Sequence, residues 1–181
     1  IHEKDPRSQL RKAYEFKAKK GTGPGIYHGI ISKKFLDDLK SMRGSYFIDE
    51  NPDFDSGFCT LLYAESYLQT SYPLFISGQC AASNSGAMNT KTVYHQGLSD
   101  FLEDSSSDRE EVMWSELETL VSIEAGLVSC MRRFLPEVNK VLPGKKIKLN
   151  KQNIFNLIAG GIAIGYENTT FKAEVEILKK I

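Results

Sequence analysis

Residues 50 to 58 read ENPDFDSGF, which places Glu50, Asp53 and Asp55 within six positions, beside Pro52 and two phenylalanines. Carboxylates this close together repel and raise one another's pKa unless a cation or a proton is shared. Three kinds of chemistry fit. As hard oxygen ligands, Asp53 and Asp55 could hold Mg²⁺ or Mn²⁺ with room left for water and phosphate oxygens. A single carboxylate beside an acceptor hydroxyl could serve as a general base. Acids at a helix mouth can also do no more than cap it, because free N–H groups and the helix dipole favour negative charge there. In a first helical turn, residues two apart point in different directions, which makes a metal clamp from this pair awkward. Asp53, at the expected cap, is better placed than Asp55 to act as a base.

The elements that would position these acids follow from patterning. Asp5-Pro6 forms an N-cap and first helical position, and a basic segment carrying Arg7, Arg11, Lys12, Lys17, Lys19 and Lys20 runs to a stop at Gly21. That segment reads either as a solvated face or as a surface for an anionic ligand or lipid. GTGPG (21 to 25) lacks the spacing and the Lys-Ser/Thr of a phosphate loop. IYHGII (26 to 31) reads as a short strand, and Ser32 caps a helix whose Phe35, Leu36, Leu39 and Met42 share one face before Gly44. SYFI (45 to 48) reads as a second strand, and the acidic stretch then opens a helix with Phe54, Phe58, Leu61, Leu62 and Glu65 three and four apart. LFISG (74 to 78) is a third expected strand, followed by a small-residue loop and a Ser/Asp-rich linker over 99–108. Beyond the linker the pattern is helical. Ser107 and Glu110 form a capping box for a helix from about Arg109 to Arg133, Pro136 and Pro143-Gly144 punctuate, and Asn150 and Thr170 start two more helices.

Composition narrows the function classes. Lys plus Arg and Asp plus Glu both number 23 in 181 residues, so no global charge favours a nucleic-acid partner. Cys59, Cys80 and Cys130 lack a CxxC spacing and read as reduced, buried thiols of a cytoplasmic protein. With only three histidines, they argue against a zinc site. The longest apolar run, IFNLIAGGIAIG, is too short for a membrane span. His28 reads as a packing histidine or as a group at a diphosphate or acceptor, and His95 as a loop residue able to ligate a metal or phosphate. Ser83, Asn84 and Ser85 could hydrogen-bond a sugar or diphosphate, or simply make a turn. Trp114 reads as a partly buried anchor, and Cys80 has no histidine nearby to make it a nucleophile. The chain does not begin with Met and IHEKDP does not read as a natural start; a piece of a longer chain and tag removal are the alternatives.

Taken together, GIYHGIISKKFLDDLKSMRGSYFIDENPDFDSGFCTLLYAESY and the following PLFISGQCAASNSGAMN resemble the second half of bacterial and phage family 2 glycosyltransferases, nucleotide-sugar enzymes of GT-A fold. The likeness lies in the order Tyr27-His28-Gly29, helix, aromatic strand, Pro52-Asp53 opening a helix, a strand ending in Ser77-Gly78, and the Ser83-Asn84-Ser85 turn; it covers about residues 24 to 90. The resemblance implies an α/β fold, with an acceptor-side half of a GT-A-like catalytic domain over 1–98 and an all-helical C-terminal extension over 99–181. It implies inverting sugar transfer with Asp53 as base, and His28, Glu50, Asp55, Ser83, Asn84 and Ser85 at the substrates. The donor would be a nucleotide sugar and the acceptor a glycan, a lipid-linked acceptor or a protein. The complete enzyme would carry Mn²⁺ or Mg²⁺, and its place would be the cytoplasm or the inner membrane surface, without a transmembrane segment or a nucleic-acid partner. The family's metal-binding Asp-x-Asp lies earlier, in a donor-binding half that these residues do not show. Asp53-Phe-Asp55 is therefore not expected to be that motif, and the chain is expected to be a fragment. The alternative is a non-catalytic helical interaction or scaffold domain whose acids are only caps.

Overall fold

A computed structural model describes residues 1–18, 23–27, 29–49, 51–72 and 123–164, with residues 176 and 179 besides. The described residues are mixed in class but mostly helical. Helices α1 (Pro6–Tyr14), α2 (Lys33–Arg43), α3 (Pro52–Tyr63), α4 (Ile123–Val141) and α5 (Lys151–Ile164) accompany one small sheet. In that sheet β1 (His2–Lys4) pairs antiparallel with β2 (Tyr67–Gln69), His2 opposite Gln69 and Lys4 opposite Tyr67. The chain divides into two compact units, one of Ile1–Phe75 with Cys130–Leu149 and the other of Ile76–Ser129 with Asn150–Ile181. The boundary expected at 98/99 and the linker over 99–108 lie outside the described residues.

The helix ends follow local chemistry. Asp5 caps α1 by accepting from the N–H groups of Arg7 (3.0 Å) and Ser8 (3.1 Å). The helix stops at Tyr14, well short of the expected Gly21, because Phe16 takes up a left-handed conformation (φ 56°). Lys17 N–H then bonds to Lys12 O and Phe16 N–H to Ala13 O, a closure of the Schellman type. Helix α2 runs as expected from Ser32, whose Oγ accepts from Phe35 N–H at 3.1 Å, to Gly44 at φ 79°. Its Leu39 is buried, but Met42, expected on the same face, is 61% exposed. Asn150 caps α5 by accepting from Asn153 N–H at 3.0 Å, and Ile154 and Ile158, one turn apart, are buried.

Two expected strands do not form. Among the described residues of 26–31 the backbone is turn and irregular; Ile26 N–H goes to Ser56 Oγ at 2.9 Å, and Tyr27 and Ile30 stand exposed. Over 45–48 a carboxylate takes the hydrogen bond that a ladder would need: Ile48 N–H bonds to Asp55 Oδ2 at 2.6 Å. The third expected strand, 74–78, lies outside the described residues. A further difference is at Pro136, which was expected to punctuate. Helix α4 continues through it to Val141. Phe134, Val138 and Leu142, four residues apart, are buried on one face, and that burial offsets the roughly 3 kcal/mol a mid-helix proline costs.

The core of the first unit is an aromatic ladder. Tyr14 meets Phe58 edge-on at 5.7 Å between ring centroids, and Phe58 stacks on Phe134 at 5.8 Å. Tyr14 Oη donates to Met131 O at 2.6 Å, and burial pushes the phenol well above its ordinary pKa, with Cys130 and Glu137 adding to the effect. Leu10, Leu62, Cys59 and Cys130 fill the space around it, each fully buried.

Candidate functional site

Helix α3 begins with Asn51 at the cap and Pro52 at the first helical position, so Asp53 sits inside the first turn and not at the cap itself. The Asn51 side chain makes no capping bond; its N–H and its Nδ2 donate instead to Asp49 Oδ1, at 3.0 and 3.3 Å. Ser56 Oγ donates to Asp53 O at 3.1 Å and accepts from Ile26 N–H, tying the preceding loop to this turn. Gly25 eases that approach, because a Cβ there would lie 3.1 Å from Asp53 O, a tight contact. The backbone of Asp53 is thus braced, and the residue is half-buried, whereas its carboxylate has no hydrogen-bond or ion-pair partner among the described residues.

Asp55, two residues on, has the opposite environment. It is 0% exposed and faces Arg43, the last residue of α2, in a two-pronged ion pair: Nη1 to Oδ1 at 2.8 Å and Nη2 to Oδ2 at 3.1 Å. Oδ2 also accepts from the N–H groups of Ile48 (2.6 Å) and Asp49 (2.7 Å), and Oδ1 from Cys59 Sγ at 3.1 Å. Burial by itself would raise the Asp55 pKa, but the guanidinium, the two backbone N–H groups and the thiol together hold it below the ordinary carboxylate value. Arg43 Nη1 reaches Cys59 Sγ at 2.7 Å as well, and the guanidinium lies 5.4 Å from the centroid of the Phe134 ring. Asp55 therefore fixes the turn between α2 and α3, and it presents no surface that a substrate or a cation could touch. Its expected place at a substrate is replaced by this structural one.

Two residues that the sequence reading did not single out complete the cluster. Arg43 carries no signal beyond its position before Gly44. Asp49 stands next to the counted acids and is buried; its Oδ2 lies 3.4 Å from Arg133 Nε on α4. Cys59 and Cys130 are free, buried thiols. Burial raises both pKa values, with Asp55 adding to the effect at Cys59 and Asp49 at Cys130, so neither is an activated nucleophile.

The basic face of α1 is also partly used internally. Arg7 Nη1 donates to Leu61 O at 2.7 Å and to Leu62 O, capping the last turn of α3, and Arg11 Nη2 donates to Pro143 O at 2.8 Å. Lys17 pairs with Glu15. Two of its arginines are thus staples between elements of the first unit, not open sites for an anion.

Asp53 and Asp55 are the expected site residues that the structure describes. His28, Glu50, Ser83, Asn84 and Ser85 lie outside the described residues, as do His95, Trp114 and Cys80. Among the described residues, no group of three or more His, Cys, Asp or Glu side chains could hold a metal ion, and no helix is long and apolar enough to cross a membrane. Comparison with protein-family models, with curated proteins and with solved structures gives no match.

Proposed function

We propose that Asp53 is the general base of a sugar-transfer site, and that the chain carries the acceptor side of a GT-A-like glycosyltransferase. The observation that supports this reading is the contrast between the two aspartates: Asp55 is enclosed and held by Arg43, whereas the carboxylate of Asp53, on a braced backbone, has no hydrogen-bond or ion-pair partner among the described residues. A base must reach the proton it takes, and its geometry comes before its pKa. Asp53 meets that requirement and Asp55 does not.

In the reaction, an Asp53 carboxylate oxygen accepts the proton of an acceptor hydroxyl. The hydroxyl oxygen forms its bond to the anomeric carbon as the bond to the nucleoside diphosphate breaks. The electron pair leaves with the diphosphate, and the anomeric configuration inverts. The Asp53-Phe-Asp55 pair does not fit a divalent cation, since both Asp55 oxygens are engaged by Arg43 and by the N–H and S–H donors around it. The proton transfer at Asp53 needs no metal.

The test is turnover by the full-length gene product. Incubated with UDP-, GDP- and ADP-linked sugars and a mixture of glycan and lipid-linked acceptors, it should consume one donor class and release the free nucleoside diphosphate. A folded protein that consumes none of them would contradict the reading and favour a non-catalytic interaction domain.

A further inference from the structure

The segment that closes the first unit, from the end of α4 to Leu149, is basic. Lys140, Lys145, Lys146 and Lys148 are all exposed, and none has a carboxylate partner among the described residues. No Asp or Glu occurs in the sequence between Glu137 and Glu167, although the chain as a whole carries zero net charge. This local excess is also held in shape. Asn139 acts as a clamp, accepting from Ile147 N–H at 2.7 Å and donating to Ile147 O at 3.1 Å, so the lysines on either side of Ile147 leave from a fixed backbone. The turn before them depends on Gly144 at φ 105°. Arg11 secures it from α1 through Pro143 O and adds its own charge beside the lysines.

We infer that this loop is a docking surface for an anionic lipid bilayer. Clusters of four or more Lys/Arg at one surface are what negatively charged headgroups attract, and each residue adds to the attraction within a Debye length. The chemistry of the loop favours a lipid surface over a nucleic acid. Apart from Arg11, whose guanidinium is committed to Pro143 O, its charges are lysines, which act as point charges and do not grip single phosphates as an arginine fork does. No aromatic residue lies between Phe134 and Phe155 to stack a base. The Asn139 side-chain amide, at the end of α4, is spent on Ile147. The inference does not depend on the role of Asp53.

Co-sedimentation of the full chain with vesicles tests it. Phosphatidylcholine vesicles containing phosphatidylglycerol should retain the protein, pure phosphatidylcholine vesicles should not, and retention should fall steeply as salt is raised. Replacing Lys145, Lys146 and Lys148 together by Gln should lower partitioning by roughly 10²-fold, from the contribution per lysine near an anionic surface. The control is Lys33→Gln with Lys34→Gln on α2, where both lysines are exposed and paired with Asp37 and Asp38. It should leave partitioning unchanged, and matching circular dichroism would show all variants folded. Equal retention on both vesicle types, an equal loss in the control variant, or capture of RNA or duplex DNA with the vesicles left unbound would each overturn the inference.

Discussion

Arg43 and Asp55 face each other with two hydrogen bonds, Nη1 to Oδ1 at 2.8 Å and Nη2 to Oδ2 at 3.1 Å, at a site where the arginine side chain is 8% exposed and the aspartate 0%. The pair joins the last residue of α2 to the first turn of α3, and the same carboxylate collects the two backbone N–H groups between them. Removing one partner leaves a buried charge without its counter-charge. Arg43→Met or Asp55→Asn should each cost about 3–5 kcal/mol in urea unfolding, and Arg43→Lys should recover only part of this because it loses the fork. A loss below about 1 kcal/mol, the usual range of an exposed pair, would show that the bridge is not enclosed as described.

The same pair sets an acid dependence. Its surroundings place the Asp55 pKa below the ordinary aspartate value, about 3.9 in the unfolded chain. As acid is added, the unfolded chain therefore takes up this proton first. The contribution of Asp55 is complete above the unfolded pKa and is lost as pH falls through the lower folded one. Urea midpoints should be insensitive to this group near neutrality and drop in strong acid, and Asp55→Asn should flatten that drop. Acid limbs of equal steepness in the two proteins would contradict the assignment.

Pro136 lies within α4 on its exposed side. Alanine there restores a helical N–H and relieves the clash with the preceding turn, a gain of about 3 kcal/mol, less up to about 1 kcal/mol for the freer unfolded chain. Pro136→Ala should thus stabilise the protein by about 2 kcal/mol, read as a raised melting temperature. An unchanged or lower value would mean that the proline sets a bend on which the packing of Phe134 and Val138 depends.

Local signals carried the helices. Asp5, Ser32 and Asn150 each accept the capping bond that their side-chain chemistry suggests, and Gly44 takes the left-handed conformation that ends α2. Long-range partners were not legible. SYFI has a strand's composition, but its position is decided by Asp55, seven residues after Ile48. The three-residue strands β1 and β2 are too short to leave a period. Pro136 reads as a breaker until the buried faces of Phe134 and Val138 are known. At the candidate site, three closely spaced acids are plain in the sequence, but their separate environments are not. Which of Asp53 and Asp55 stays free depends on Arg43, twelve residues earlier, and no spacing rule connects Arg43 to them.

The most direct measurement compares sugar-transfer rates of the full-length protein and its Asp53→Asn variant, with the unfolding of each followed in parallel. Asparagine keeps the size of the side chain and an acceptor oxygen but cannot take a proton. Stability should fall by no more than about 0.3–1 kcal/mol, the worth of a charge in the first helical turn. Turnover should fall by roughly 10²–10⁴-fold, the usual contribution of a positioned base, while donor affinity should be unchanged because the base acts on the acceptor. An Asp53→Asn protein that folds normally and transfers sugar at a near-normal rate would contradict the account.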